Sequence, residues 1–422
     1  MLERPGEWVG AHVGRVGFVF RSLRSRNYRW YFLGNLVSLV GTWMQRMAIS
    51  WLVYKLTGSA ILLGTIDFAS QFSAFLLMPF AGVLIDGGDI RRLLIITQSL
   101  GAAQALVLAI LTATGHIGFA HLVVMSVFLG MINAFDMPAR QAFTVHLVEK
   151  KEDLMNAIAL NSSVFNMARL VGPAVAGMVV AWVGEAMCFL LNAISFIPII
   201  IILIILSVKA VVKTGQQPSL LAGLAEGLNY SARHPVIGPV LLLLAVASFI
   251  GMSYVVLLPV FAKEVLKGGP QTLGWLMGAN GMGALIAALL LASQKSHEGL
   301  ERRIPLAFGL FGIGVAVFCR MRLVPLAMAM LVFNGFWMIT GWASSNTLLQ
   351  TEVEEGKRAR VMSLYVMSFM GMAPLGSLVQ GYVSQRLGIE PTLTISGLLC
   401  FLGAALFFLH RFARPGQRLA YF

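Results

Sequence analysis

Gly82-Val-Leu-Ile-Asp86-Gly-Gly-Asp89-Ile-Arg91-Arg92-Leu-Leu-Ile-Ile-Thr97-Gln98 is a short charged turn, bearing glycines, between two long apolar runs. Ile61 to Ile85 precede it and Leu93 to Thr114 follow it. Each run is long enough to cross a bilayer, which takes roughly 20 apolar residues. The turn therefore belongs at a membrane surface, and its two arginines mark that surface as cytoplasmic. A carboxylate ending one helix can cap the next or pair with a neighbouring arginine, holding two bundles in one arrangement. Gly82, Asp86, Arg91 and Arg92 are thus read either as a gating latch or as a solvated turn whose arginines set topology.

Outward from this turn the whole chain reads as polytopic. Of 422 residues, 58% are hydrophobic and 12% charged, with mean hydropathy +0.81. A soluble domain carries about 25% charged residues. Alternating barrel strands are absent, so the spans are helices with their backbone bonds satisfied internally. Twelve are expected, at 28–54, 60–85, 93–114, 119–144, 155–183, 186–208, 236–261, 272–293, 304–322, 324–350, 359–387 and 391–410. With the N-terminus inside, cytoplasmic segments hold 23 of the 31 Lys and Arg residues and outer segments hold six. Arg46 and Arg169 fall within spans. This bias places both termini in the cytoplasm. The net charge of +13 is therefore explained by loop anchors and contact with anionic lipid, and no nucleic-acid partner is expected.

The organisation that follows is an interfacial N-terminal segment (1–27), a six-helix bundle (28–208), a linker with an amphipathic helix (209–235), a second six-helix bundle (236–410) and a cytoplasmic tail (411–422). The N-terminal segment mixes Arg with Trp, Phe and Leu, which suits the inner membrane face, with disorder as the alternative. No cleavable signal is expected in it. Asn156 to Gly184 parallels Arg360 to Gly388, both Gly/Pro-interrupted spans in the fifth position of their half. Such repeats accompany a midplane site between two bundles. Cys188, Cys319 and Cys400 have neither metal nor disulfide spacing and read as small core residues.

Charges inside spans are costly and usually functional. Arg46 and Asp67 each lie about five residues outward of mid-span, roughly 8 Å from the midplane. They are expected to pair, as a fixed tie or as a carboxylate that exchanges its partner for a proton. Arg169 lies near the centre of its span, three residues before Gly172-Pro173. It is read as an anion-binding or coupling residue, or as a structural donor to Asn161, Asn166 or carbonyls freed by Pro173. Gly172, Pro173 and Gly177 permit a bend and close helix approach. Asp136 and Arg140 are four apart, on one helical face if Pro138 is tolerated, and make either a surface pair or a latch with the 86–92 turn. Gln45, Gln71, Asn133, Asn161, Asn166, Tyr254, Asn334, Trp337 and Asn346 are candidate cavity residues; interhelical hydrogen bonding is the plainer role for the Asn and Gln side chains. No phosphate-binding loop, metal motif or nucleophile elbow appears, so no enzyme activity, cofactor or metal is expected, and an ion gradient would supply the energy.

Several of these segments resemble the major facilitator superfamily. Gly82, Leu84, Asp86 and Arg91 fit the loop pattern G-x-L-A-D-R-x-G-R-[RK], while Gly87, Asp89 and Ile90 depart from it. Asn133-Ala-Phe-Asp136-Met-Pro138-Ala-Arg140-Gln141-Ala resembles the N-A-x-D-x-P-A-R-Q-A segment of enterobactin-exporter-like permeases. Gly172-Pro173 resembles the span-5 antiporter motif, with Ala168 replacing an earlier glycine. Gly41-Thr-Trp-Met-Gln-Arg46, Glu226 to Pro235 and Arg360 to Tyr365 add to the likeness, which covers roughly residues 20–410. The resemblance implies a twelve-helix, two-bundle transporter of the drug:proton antiporter branch. It would be a monomer in the bacterial inner membrane, contacting lipids and exporting an amphiphilic small molecule, such as a siderophore or drug, against protons. A lipid or lysolipid flippase and a non-transporting receptor or scaffold are the alternatives. The scaffold requires Arg46 and Arg169 buried in fixed pairs.

Overall fold

A computed structural model describes residues 21–148, 151–206, 220–294 and 299–412. Residues 1–20, 207–219 (with the start of the linker) and 413–422 (most of the tail), on which three of the expectations above fall, lie outside the described residues. The described chain is helical, without strands. The first half holds α1 (Arg26–Thr57), α2 (Ala60–Gly87), α3 (Ile90–Ala113), α4 (Phe119–Leu147), α5 (Leu154–Val183) and α6 (Glu185–Ile205). A linker helix follows at Leu220–Arg233. The second half holds α7 (Ile237–Val265), α8 (Pro270–Ala292), α9 (Leu300–Phe318), α10 (Val324–Glu352), α11 (Arg360–Leu387) and α12 (Ile389–Phe412). All but α9 are apolar and long enough to cross a membrane; α9 carries Glu301, Arg302 and Arg303 in its first turn yet packs between α10 and α12.

Within the first half, α1 packs on α5 and α6, α2 on α4, and α3 on α4 and α6. The second half repeats this with α8 on α10, α9 on α10 and α12, and α7 on α11. The halves meet along two seams, α5 on α8 and α2 on α11. The fifth helix of each half thus lies against the second helix of the other. Small residues make this close approach possible. A Cβ on Gly177 would stand 2.7 Å from the Pro270 carbonyl, and one on Gly381 would stand 2.6 Å from the Ala60 carbonyl.

Two spans are irregular. The α7 span contains π turns at Ala247–Gly251 and Phe261–Val265 around a 3-10 stretch, and α11 has a π turn at Met367–Gly371. Such turns leave carbonyls that need outside donors. Gln380 donates to the Ile250 carbonyl, and Ser253 donates to the Ala373 carbonyl at 3.0 Å.

The seams hold along only half of each helix. Both α1's start and α12's end lie at one end of the molecule, the terminal face. At the opposite, far face, Gln385 accepts from the Ala60 amide at 2.9 Å and Tyr54 is bonded to Glu264. Along α5, residues 155, 158, 162, 165, 169, 173 and 177 form one stripe at helical spacing. Arg169, Pro173 and Gly177 of that stripe are against α8. Met155, Ile158, Ser162 and Phe165, nearer the terminal face, are exposed, Met155 by 76%. Open space surrounds the place where a Gly82 side chain would be. The two bundles therefore touch toward the far face and part toward the terminal face.

Candidate functional site

The parting begins at a group of charged and aromatic side chains held between the seams. On α1, Trp43 and Arg46 are three residues apart, nearly one helical turn, so they share a face. Gly172 lets α5 approach here, since a Cβ would fall 2.6 Å from that of Trp43. The Trp43 ring has the Arg46 guanidinium at 5.3 Å and that of Arg169 at 5.8 Å, with Phe165 edge-on at 5.7 Å. Two like charges around one ring are tolerable because each also has a polar partner. Arg46 Nη2 is 3.3 Å from Asp67 Oδ1, and Arg169 Nη2 donates to Asn280 Oδ1 at 2.7 Å.

Both partnerships touch a seam. Asp67 Oδ2 accepts from Ser377 of α11 at 2.6 Å and from Gln71 at 2.6 Å. Asn280 lies on α8, and its amide also donates to the Tyr254 hydroxyl. Arg46 and Trp43 thus lie between the α2–α11 and α5–α8 contacts. The Arg46 side chain remains 51% exposed and that of Asp67 20%. The site can present two guanidiniums, one carboxylate and aromatic faces to an incoming molecule.

The remaining candidates fall into distinct places. Gln45 is fully buried, donating to Gln104 at 2.8 Å and accepting from Asn192 at 2.9 Å. It is no cavity residue: one position from Arg46 is about 100° around the helix, toward the bundle core. Asn334 is likewise fully buried, set against Gly314, so its expected cavity role is also corrected. Tyr254 is also fully buried, behind Asn280 and packed on Phe311 and Phe318, so it too lies in the bundle core and not in a cavity. Asn133, Asn161 and Asn166 are half-buried; Asn161 accepts from Asn35 and Asn166 donates to its own helix at the Ser162 carbonyl. Trp337 packs on Phe333 and Phe336, and Asn346 accepts from Gln350. Arg169 does not donate to Asn161 or Asn166 as one expectation had it, because the glycine-lined α5–α8 seam brings Asn280 within reach.

Asp136 and Arg140 form a buried pair at 2.5 Å, with Pro138 accommodated inside α4. Thr97 and Gln98 donate to Asp136, and Arg140 donates to Asn35 and Ser38. The pair ties α1, α3 and α4 together within the first half rather than latching onto the 86–92 turn. Arg91 instead donates to the Leu203 and Ile204 carbonyls ending α6, and Arg92 pairs with Asp89, which caps α3. Asp86 is in the last turn of α2, and its side chain lies outside the described residues. Among the described residues, the polar partners of the Arg91 and Arg92 side chains all lie in the first half. Trp43, Ser377 and the role of Asn280 were not anticipated: a Ser or Trp in an apolar run carries no local signal, and Asn280 was only one of several scattered amides.

The sequence profile of the transmembrane secretion effectors, within the major facilitator superfamily, matches residues 19–418. The chain belongs to this family. As a transmembrane secretion effector it is a multi-span membrane transporter, not an enzyme. It is 26% identical to a staphyloferrin A transporter of Staphylococcus aureus over 88% of this chain and 92% of that one. It is 24% identical to the multidrug efflux pump Tap of Mycolicibacterium fortuitum, over 89% and 94% of the two chains. A macrolide efflux protein A of Streptococcus pyogenes is also 24% identical, over 87% and 91%. Among solved structures, a bacterial homologue of the lysosomal transporter Spinster, described as inward-facing and unoccupied, superposes with a TM-score of 0.72 at 12% identity, covering 91% and 97%. A POT family transporter in complex with 5-aminolevulinic acid gives 0.74 at 10% identity, over 91% and 96%. These two establish the shared fold of the secretion effector with other major facilitator transporters.

Proposed function

We propose that this transporter exports an amphiphilic small molecule in exchange for protons by alternating access, with Asp67 as the proton site and Arg46 and Arg169 as its electrostatic partners. The observation that carries this reading is Arg46: it is ion-paired, lies within a membrane-spanning helix, and yet has a side chain 51% exposed between the two seams. An arginine at that depth must face water, protein or substrate. A fixed structural tie would seal it. The Lys/Arg bias supports a terminal face, and an opening, on the cytoplasmic side of a bacterial inner membrane. That is where an exporter takes up its cargo. The staphyloferrin A, multidrug and macrolide relatives support efflux. Two guanidiniums against one carboxylate, lined by Trp43 and Phe165, favour an anionic amphiphile. The working units are the 28–208 and 236–410 bundles joined by the 209–235 linker, acting as a monomer among membrane lipids.

The test is proton counterflow in proteoliposomes carrying an internal pH dye, with staphyloferrin A, a macrolide, and one fluorescent amphiphile in carboxylate and amine forms as probes. The native protein is expected to move protons with at least one probe and to prefer the carboxylate form. Asp67→Asn is expected to abolish the coupling; undiminished coupling removes Asp67 from the mechanism. Transport of a lysolipid that persists without a pH gradient would favour the flippase.

A further inference from the structure

A proton on Asp67 moves the protein only if some part of the second half registers it. The two seams differ in this respect. Across α5–α8 the bond is donated by Arg169, whose guanidinium keeps its charge, to a neutral amide. Across α2–α11 it is accepted by a titratable group, the Asp67 carboxylate.

Ser377 has one hydroxyl proton and two acceptors. Asp67 Oδ2 lies at 2.6 Å across the seam, and the Ala373 carbonyl of its own helix lies at 3.2 Å. An ionised carboxylate is the stronger acceptor, and such bonds are short. A protonated carboxyl is a poorer acceptor, and a serine in a helix then turns back to the carbonyl four residues earlier. The Ala373 carbonyl already accepts from Ser253 but has a second lone pair. Ser377 also lies where the seam is closely packed, because its backbone carbonyl abuts Gly64.

Resting on the reading of Asp67 as the proton site, we infer that Ser377 is a positioning residue that reads the charge on Asp67 and holds α2 against α11 while that carboxylate is ionised. The groups facing Asp67 are Arg46 from α1, Gln71 from its own helix and Ser377 from α11, with Arg169 beyond Trp43. An empty, deprotonated carrier is then kept open to the terminal face. A carrier whose cross-seam bond is overcome by bound cargo, or lost to a proton taken up at the far face, is free to pass between the two arrangements. This stops an unloaded carrier from leaking the gradient.

The test uses the full chain in lipid nanodiscs with spin labels at Leu56→Cys and Leu387→Cys, exposed positions at the far ends of α1 and α11; the three native cysteines are buried. The distance between the labels is followed from about pH 8 to about pH 5. In the parent, the long-distance population is expected to grow on acidification. In Ser377→Ala that population is expected to be high already at the alkaline end, with its pH response reduced by roughly fivefold or more. Ser377→Thr, which keeps the hydroxyl, is expected to restore the parent response. A Ser377→Ala protein that follows pH like the parent, while Asp67→Asn does not, overturns the role of Ser377 and leaves the proton site standing. An Asp67→Asn protein that follows pH like the parent overturns the proton site itself.

Discussion

Asp67 and Ser377 are bonded at 2.6 Å across the boundary between the two halves, on the seam opposite the one that Arg169 and Asn280 join at 2.7 Å. Each of these two bonds has one charged member, and in each it comes from the first half. Arg46 and Trp43 stand between them, linked to both. The consequence is an asymmetric site in which the first half supplies charge and the second supplies neutral groups that respond to it.

The α5–α8 bond makes the first prediction. Asn280→Ala removes the acceptor of a partly buried guanidinium, while leaving Trp43 beneath it. A hydrogen bond to a charged group contributes about 1.5–3 kcal/mol. Asn280→Ala is expected to lower the thermal midpoint in detergent accordingly and to weaken transport. Arg169→Lys, which keeps the charge but loses the planar fork and its stacking on Trp43, is expected to depress transport as well. Retention of full transport by the lysine variant would show that only the charge matters there.

The buried Asp136–Arg140 pair makes a different prediction. Both side chains are 9% exposed and bonded on every side within the first half. Removing one member leaves the other charge buried and uncompensated, at a cost of about 3–5 kcal/mol. Arg140→Ala is therefore expected to cause a large fall in unfolding temperature, larger than any substitution at Arg46, whose side chain is half in water. Equal thermal midpoints for the two variants would show that the α4 pair is solvated in the working protein.

How much of this was legible in the sequence follows from what is local. The helices were, because apolar runs and their charged or glycine-bearing turns repeat along the chain; α1 to α12 fall within a few residues of the expected spans. Arg46, Asp67 and Arg169 also stood out, since an ionised group in an apolar run is its own signal. Their partners did not. Ser377 is 310 positions from Asp67 and Asn280 is 111 from Arg169, so only the packing of the seams reveals them. Gln45 and Arg46 are adjacent in sequence yet face the bundle core and the opening respectively, a difference of helical phase that composition does not encode. The irregular turns of α7 and α11 depend on donors from neighbouring helices and were equally hidden.

The linker helix offers a prediction about salt. It docks on the start of α11 through Glu226 to Arg360, with the Lys357 ammonium 4.4 Å from the Tyr230 ring. These contacts are exposed, so they contribute little and are screened by salt. Hydrogen exchange in Leu220–Arg233 is expected to quicken as salt rises. Glu354, hydrogen-bonded to Lys357, holds its ammonium pKa above the ordinary 10.5. A raised lysine contributes its stabilisation fully below its unfolded value and loses it only as pH climbs past the folded one. Lys357 therefore stays charged between about pH 6 and about pH 9, and exchange of the linker is expected to be unaffected by that group over this range. Salt-independent exchange would mean that apolar packing, not charge, seats the helix.

The last prediction concerns the geometry that lets the α2–α11 bond form. Gly64 lies directly against the Ser377 backbone carbonyl, and Gly381 against that of Ala60 one turn further toward the far face. At neither place is there room for a side chain while the seam is closed. A leucine at 64 must push α11 away, and forcing bulk into a packed contact costs about 1–3 kcal/mol. That cost falls only on the arrangement closed at the far face, because the seam is parted when the far face opens. Gly64→Leu is thus expected to shift the population toward the far-face-open arrangement, with labelling of a cysteine at Ala60, buried on this seam, by a membrane-impermeant reagent from the far side rising. The Asp67–Ser377 bond is expected to break with it, so the variant should lose its response to pH even though both bonded residues are intact. If Gly64→Leu left both labelling and pH response unchanged, the seam would have to open elsewhere than between α2 and α11.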